Sequence, residues 1–338
     1  MFKHCDVYYS SFKHLTVALQ VKNEFWYLSP MQTFSVTNAV GNTPLVKLQN
    51  IVPPGCADIY VKLEYFNPTG AYKDRMALAI IEGAEKRGEL RPGMTVIECT
   101  AGGTGLALAL VCSVKGYRFM AITSDAFAIE KRRSMQIFGA EIVLLQSEGG
   151  KITPDLVPRM IDYTRKLSEE PGYYWTKQFE NTDALAGYNN IGREILAQLN
   201  APVHVFCAAQ GTAGMITGTS QILKQANPET RVIALEPESA PLLSKGIKGT
   251  HSVDGIGSGF VPPLLQYCNY DEAQTVDEAE ARKMARLLAA KEGILGGTST
   301  GLNVYAAIRI GQQLGPGHNV VTVANDSGMK YMSAGLFD

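Results

Sequence analysis

The chain has no Cys-x-x-Cys pair, no long basic run, no solenoid-length repeat, no low-complexity segment and no apolar stretch near the roughly 18 to 20 residues that a membrane span needs. Each absence excludes something. The six cysteines, Cys5, Cys56, Cys99, Cys112, Cys207 and Cys268, are scattered, and three of them fall in strand-like or helix-like apolar runs. They read as reduced core residues of a cytosolic protein rather than as a disulfide framework. Formal net charge is −1, from 31 Lys+Arg against 32 Asp+Glu, so neither a nucleic-acid backbone nor an anionic membrane surface is an expected partner. The N-terminal region lacks a signal-peptide layout, which again predicts a cytoplasmic protein. His4, Cys5 and His14 match no standard metal or haem spacing, and no metal is expected.

What is present is a substantial core. A chain of 338 residues with 46% hydrophobic composition fits one large α/β domain or two lobes sharing a cleft. Residues 1 to about 34 carry aromatics without clear periodicity, and Met31 is a candidate alternative start. From residue 58 onward, β-rich runs alternate with helical patterns: Met94–Cys99 then Gly105–Lys115, Arg118–Thr123 then Ile129–Phe138, Glu141–Leu145 then Pro154–Leu167. The alternation resumes with Val203–Ala208 then Met215–Gln225, Arg231–Glu236, and finally Val276–Glu292 and Thr300–Leu314 before Asn319–Ala324. Such βαβ units predict two stretches of mostly parallel sheet, with the crossing between them near Tyr173–Asn181.

Lys73 stands out by its address. It follows the strand-like run Asp58–Tyr65 and the turn Asn67-Pro-Thr-Gly70, and it opens an apolar-periodic helix over Asp74–Ala84. That junction places its amine at the carboxyl end of a sheet, where open α/β folds keep their ligands. Burial and the positive end of the helix dipole both favour the neutral, nucleophilic amine that Schiff-base chemistry uses. From this segment alone, a solvated surface lysine is an equally good reading.

Four glycine-rich segments accompany it. Gly211-Thr-Ala-Gly-Met215 lies between a strand and a helix, as a backbone cup for phosphate does, or as a merely tight turn does. It lacks the lysine of a P-loop and the full Gly-x-Gly-x-x-Gly spacing, which argues against a nucleotide. Glu98-Cys-Thr-Ala-Gly-Gly-Thr-Gly105 is a second strand-to-helix loop, whose amides and Thr100 and Thr104 hydroxyls suit a carboxylate. Asp254–Gly259 has no charge-binding logic of its own and reads equally as a flexible loop. In Gly296–Gly301, Ser299 either presents a neutral hydroxyl to a ligand or caps a helix, the commoner use.

An amine, a phosphate cup, a carboxylate loop and a neutral hydroxyl are what pyridoxal phosphate acting on an amino acid requires. From about Val40 to the C-terminus the chain resembles the cysteine synthase and cystathionine β-synthase family of fold-type II pyridoxal-phosphate enzymes. The matching stretches include Gly41-Asn-Thr-Pro-Leu45, the Lys73-Asp-Arg segment, Thr100–Gly105, Gln178-Phe179, Gly211–Met215, Glu236-Pro237, Gly255–Gly259, Gly297–Gly301 and Asp326-Ser-Gly328.

The resemblance implies a two-lobed, tryptophan synthase β-like α/β fold, each lobe an open mostly parallel sheet flanked by helices. Residues 1–34 would form an N-terminal arm, 35–66 plus 179–338 a large cofactor-binding domain, and 67–178 a smaller mobile domain. It implies that Lys73 joins pyridoxal 5'-phosphate and shuttles the α-proton, and that Gly211, Thr212, Ala213, Gly214 and Met215 bind the cofactor phosphate. Ser299 would meet the pyridine nitrogen, with Gly103 beside the cofactor, while Thr100, Ala101, Gly102, Thr104 and Gln178 hold the substrate carboxylate. The implied activity is β-replacement on an activated L-serine derivative by a small nucleophile, through an aminoacrylate, in a homodimer. The alternatives are β-elimination without replacement and a non-catalytic regulatory homologue. With no haem motif and an end at Asp338, a C-terminal regulatory domain is not expected.

Departures from the family pattern are specific. Gly103 stands where the family usually has asparagine, Ala101 and Ala71 where it has serine, and Ala213 and Met215 where its phosphate cup has glycine and threonine. The phosphate is therefore expected to rest mainly on backbone amides. The room left by Ala101 and Gly103 points to a donor or nucleophile other than O-acetylserine and sulfide.

Overall fold

The computed structural model describes residues 35–150 and 155–338. Along the chain the strands are β1 (Leu45–Lys47), β2 (Asp58–Leu63), β3 (Thr95–Cys99), β4 (Arg118–Ser124), β5 (Glu141–Leu145), β6 (Tyr173–Trp175), β7 (Val205–Ala209), β8 (Arg231–Pro237), β9 (Glu272–Val276) and β10 (Asn319–Ala324). The helices are α1 (Lys73–Arg87), α2 (Gly103–Lys115), α3 (Ile129–Ile137), α4 (Leu156–Ser168), α5 (Asp183–Leu199), α6 (Gly214–Ala226), α7 (Leu242–Lys245), α8 (Glu278–Glu292) and α9 (Thr298–Leu314).

These strands form two sheets within one compact unit, Phe34–Asp338. One has six strands in the order β1-β2-β10-β7-β8-β9, parallel except for β1, which runs antiparallel to β2. The other has four parallel strands in the order β5-β4-β3-β6. Every residue of β3 and β7 is buried, as it must be in a parallel sheet covered on both faces.

Side-chain alternation sorts the six-stranded sheet into two apolar layers. Val205, Cys207 and Ala209 of β7 pack with Leu302, Ala306 and Ile310 of α9. Phe206 and Ala208 pack instead with Ile191 and Ile195 of α5 and Leu223 of α6. Helix α1 serves both sheets: Met76 and Ile80 join the second of these layers, and Ala77, Ile81 and Ala84 join the core under the four-stranded sheet. Lys73, at the head of that shared helix, therefore sits where the two sheets meet.

The predicted elements Glu141–Leu145 and Asn319–Ala324 agree with β5 and β10 to the residue. Others shift for identifiable reasons. The run expected as strand to Tyr65 ends at Leu63, because Glu64–Phe66 turns as a 3-10 helix. The expected Val276–Glu292 element is α8 begun two residues early: Val276 ends the unforeseen strand β9, and the Asp277 side chain accepts from the Ala279 and Glu280 amides to cap the helix. Helix α5 was not foreseen. The expected N-terminal arm, with His4, Cys5, Met31 and His14, lies outside the described residues.

Among the described residues no helix is long and apolar enough to cross a membrane, and no group of three or more His, Cys, Asp or Glu side chains could hold a metal. Cys56, Cys99, Cys112, Cys207 and Cys268 are free thiols, all buried except the half-buried Cys56.

Candidate active site

Strand β2 and the 3-10 turn Glu64–Phe66 lead into a second turn, Asn67–Gly70, closed by the Gly70 amide donating to the Asn67 carbonyl at 2.7 Å. Asp74, one residue past Lys73, reaches back to accept from the Thr69 amide at 2.7 Å and from the Thr69 hydroxyl. Tyr72 N donates to Asn325 O at 3.1 Å and Ser327 N to Gly70 O at 2.9 Å, which fastens the start of α1 to the end of β10. Lys73 is thus the first residue of a helix whose entry is tied on two sides.

The Lys73 side chain is 8% exposed, and its Nζ stands 3.5 Å from the Thr212 hydroxyl and 4.9 Å from the centre of the Tyr72 ring. Burial brings its pKa down to about 8, opposed by the nearby Glu98 carboxylate. The alternative of a solvated surface amine is excluded.

Thr212 belongs to the segment Gly211–Met215, whose residues are all buried. Helix α6 starts at Gly214 without a side-chain cap, so its first amides keep no protein partner among the described residues. A buried, uncapped start of a 13-residue helix beside an amine has the geometry that an anion cup requires. A Cβ on Gly211 would run into the Gly255 carbonyl oxygen, while Gly257 N donates to Gln210 O at 3.1 Å and the Ser258 hydroxyl to Gly211 O at 3.2 Å. The Asp254–Gly259 loop, for which the sequence offered no binding logic, is therefore docked against the cup.

Ala213 adopts φ +63°, the left-handed region, where the family pattern has glycine. A Cβ there costs on the order of 1 kcal/mol. Ala213→Gly is expected to raise stability by about 0.5 to 1 kcal/mol, read as a higher midpoint of thermal unfolding at unchanged cofactor load. An unchanged or lower midpoint would contradict the strain.

On the other sheet, β3 leads into the loop Thr100–Gly102 and then α2. Thr100 Oγ1 accepts from Gly102 N at 3.0 Å and Gly105 N at 3.1 Å, and Thr104 Oγ1 donates to Gln178 Oε1 at 2.6 Å. Gln178 Nε2 donates in turn to Cys99 O at 2.8 Å. Of the expected residues, Thr104 and Gln178 are bonded to each other, Thr100 fastens its own loop, and both threonine hydroxyls are engaged within the protein. The amides of Ala101, Gly103 and Thr104 keep no protein partner among the described residues, and Ala101 and Gly103 are exposed. A Cβ on Gly103 would find only Lys73 Cγ, at 3.9 Å, so this loop borders the amine with space to spare. Gly102 holds φ +143° with the Lys131 stem against it, and Lys131 Nζ pairs with Asp254 at 3.2 Å, linking α3 to the loop on the cup.

Ser299 does not cap α9. Gly297 is the N-cap, Thr298 the first helical residue, and the buried Ser299 hydroxyl has no hydrogen-bond partner among the described residues. The helix is attached to the same strand end as Lys73: Gly297 N donates to Asp326 O at 3.2 Å and Asn325 N to Thr300 Oγ1 at 3.1 Å.

The site fits the expected cofactor. An amine of lowered basicity adjoins an uncapped, buried helix start, and a buried hydroxyl without a partner is held on the same strand end. What the sequence reading passed over is Glu98, a carboxylate within a wholly buried strand. A charge in such a run must be partnered, and that is the signal that could have found it.

Comparison with known proteins follows this geometry. The family described as pyridoxal-phosphate dependent enzyme matches residues 36–326. The chain is 40% identical over 305 residues to cysteine synthase of Staphylococcus aureus (strain Mu50), covering 90% of this chain and 96% of that one. It is 38% identical over 311 residues to O-ureido-L-serine synthase of Streptomyces lavendulae, covering 90% and 92%. The crystal structure of an O-ureido-L-serine synthase superposes with a TM-score of 0.83 at 36% identity, covering 91% and 96%.

Proposed function

The chain belongs to the pyridoxal-phosphate dependent enzyme family, and on that premise we propose that it replaces the β-substituent of an activated L-serine derivative with a small nucleophile. The observation that supports this most directly is the Lys73 amine, buried, with a pKa of about 8, 3.5 Å from the hydroxyl of the anion cup.

Bound pyridoxal phosphate supplies an aldehyde that captures amines and an electron-withdrawing ring that acidifies the α-C–H of an attached amino acid. The protein's own residues do the rest. The amides of Gly211, Thr212, Ala213, Gly214 and Met215 hold the phosphate, and the α6 dipole favours its charge. Ser299 offers the pyridine nitrogen a neutral partner, which does not enforce its protonation as a carboxylate would. The free amides of the Thr100–Thr104 loop, with Gln178, orient the donor carboxylate. Lys73 takes the α-proton, and its lowered basicity leaves a useful neutral fraction near pH 7 to do so.

The donor pocket is read as wider than one built for O-acetylserine and sulfide, because Ala101 and Gly103 put no polar side chain beside Lys73. A relative named O-ureido-L-serine synthase is consistent with a synthase of a non-proteinogenic amino acid. The reading also takes residues 67–178 as a mobile lobe closing on the remainder, and the active form as a cytoplasmic homodimer.

The test is a panel of O-substituted serines and nucleophiles, with products identified by mass spectrometry. Efficient replacement by nucleophiles larger than sulfide is expected. Ammonia release without added nucleophile would instead establish elimination. Efficient cysteine formation with poor turnover of bulkier partners would remove the specialised substrate.

A further inference from the structure

Glu98 is 1% exposed, and its carboxylate collects donors from two neighbouring strand ends. Oε1 accepts from Cys99 N at 2.9 Å and Trp175 Nε1 at 3.3 Å; Oε2 accepts from the Thr176 hydroxyl at 2.5 Å and Gln178 N at 3.0 Å. β3 and β6 are paired, with Ile97 opposite Trp175, so Glu98 ties the end of β3 to the loop that leaves β6. From that loop Gln178 meets Cys99 O and Thr104, and Gly103, next to Thr104, borders the Lys73 side chain.

We propose that Glu98 is a positioning residue for the donor's carboxylate, fixing the Gln178 backbone against the Thr100–Thr104 loop. The inference rests on the β-replacement reading for its substrate. Its donors suit an ionised carboxylate: two amides and an indole N–H can only donate, and the Thr176 hydroxyl and the Cys99 thiol, 3.4 Å from Oε1, bring the donors to five. Burial pushes the Glu98 pKa up, opposed first by Thr176 and Gln178. The charge also acts on Lys73, holding protons on the amine against the effect of burial.

Glu98→Gln keeps the volume and removes the charge. Its NH2 group finds an oxygen acceptor at the Thr176 hydroxyl, which can rotate, and in that orientation Gln178 N loses its partner; turned the other way it meets the weakly accepting Cys99 sulfur and faces two N–H donors, Cys99 N and Trp175 Nε1. KM for the amino-acid donor is expected to rise about tenfold, the loss of a hydrogen bond to a charged group, with KM for the nucleophile unchanged. In the cofactor-free full-length chain, the pH midpoint of Lys73 acylation, followed by peptide mass spectrometry, is expected to move below the wild-type value, because removing an anion favours the neutral amine. Thr176→Val, which deletes one donor and keeps the charge, is expected to raise the donor KM and leave that midpoint in place. Unchanged donor KM in both variants would overturn the proposal, as would a rise in both KM values alongside a lowered unfolding midpoint. If Glu98→Gln fails to fold, Thr176→Val decides by the same split. A wild-type enzyme inactive across the donor panel would refute the function instead, and the acylation comparison would still report on Glu98.

Discussion

Lys73→Ala is expected to lower donor turnover by about 10³- to 10⁴-fold, the span that a positioned acid–base group contributes, with no loss of folding. Borohydride reduction followed by peptide mass spectrometry should trap the cofactor on residue 73 in the wild type and nowhere in the variant. The argument is local. The amine is 8% exposed, and the groups around it are a threonine hydroxyl, an aromatic ring and a clasped carboxylate. The hydroxyl and the ring are not bases near neutral pH, and both oxygens of the Glu98 carboxylate are occupied by protein donors, so no neighbour substitutes for the amine. Turnover within tenfold of wild type would sink the assignment.

The same residue gives a stability signature of known sign. In the unfolded chain a lysine titrates near 10.5, and in the folded protein burial brings Lys73 to about 8. Between these values the unfolded state holds a proton that the folded state has released. Stability attributable to this group therefore rises as pH increases from about 8 toward 10.5 and is lower below it. Lys73→Met should stabilise the cofactor-free protein at pH 7, and that advantage should shrink at pH 10. An advantage independent of pH would place the amine in solvent.

Arg75→Met, two residues along α1, is expected to cost about 3 to 5 kcal/mol of stability, the range for breaking a buried ion pair. Arg75 makes two bidentate pairs. Its Nε and Nη2 bond Glu64 at 2.7 and 2.8 Å, and its Nη1 and Nη2 bond Glu194 at 2.6 and 2.8 Å. Lys62 Nζ pairs with the same Glu194 at 2.7 Å, and Thr43 donates to Glu64 at 2.6 Å. Two cations balance two anions, and Lys62, Glu64 and Arg75 have side chains no more than 3% exposed. Removing Arg75 leaves Glu64 buried with no paired cation.

The thermal unfolding midpoint of the Arg75→Met variant should fall by roughly 5 to 8 °C, with part recovered in Glu64→Gln/Arg75→Met. A midpoint unchanged within a degree would contradict the balance. Burial pushes Glu194 up, but Arg75 and Lys62 outweigh it and hold the carboxyl at about 2. Its contribution is present above the ordinary 4.5 and is lost as pH falls through about 2. The quartet joins β2, α1 and α5, so the change also loosens the seat of Lys73.

The parts of the site legible in the sequence were those with local causes. A strand-like run followed by the turn Asn67–Gly70 and a helix gave the address of Lys73, and Gly211–Met215 between a strand and a helix was read as either a phosphate cup or a tight turn. Where the cause was not local, the reading failed or left a choice. Helix α5 carries Asn189, Asn190, Gly187 and Gly192, poor helix formers by propensity. The structure shows why they stand there: a Cβ on Gly187 would strike the Arg75 carbonyl, and one on Gly192 would lie 2.8 Å from the Thr219 carbonyl. Helix backbones approach so closely that packing overrides propensity. The choice for Ser299 between cap and ligand hydroxyl was undecidable until Gly297 proved to be the cap.

By itself the sequence determined most of the alternation of strands and helices and the address of the amine, because each follows from spacing along a continuous stretch, and the family, through the resemblance of ordered motifs from Gly41 to Gly328. Tertiary structure alone decided that Asp254–Gly259 packs against Gly211, that Glu98 clasps Thr176 and Gln178, and that burial lowers Lys73 to about 8. Those outcomes depend on desolvation and on hydrogen bonds between segments distant in the chain, and neither is set until both sheets are packed around α1.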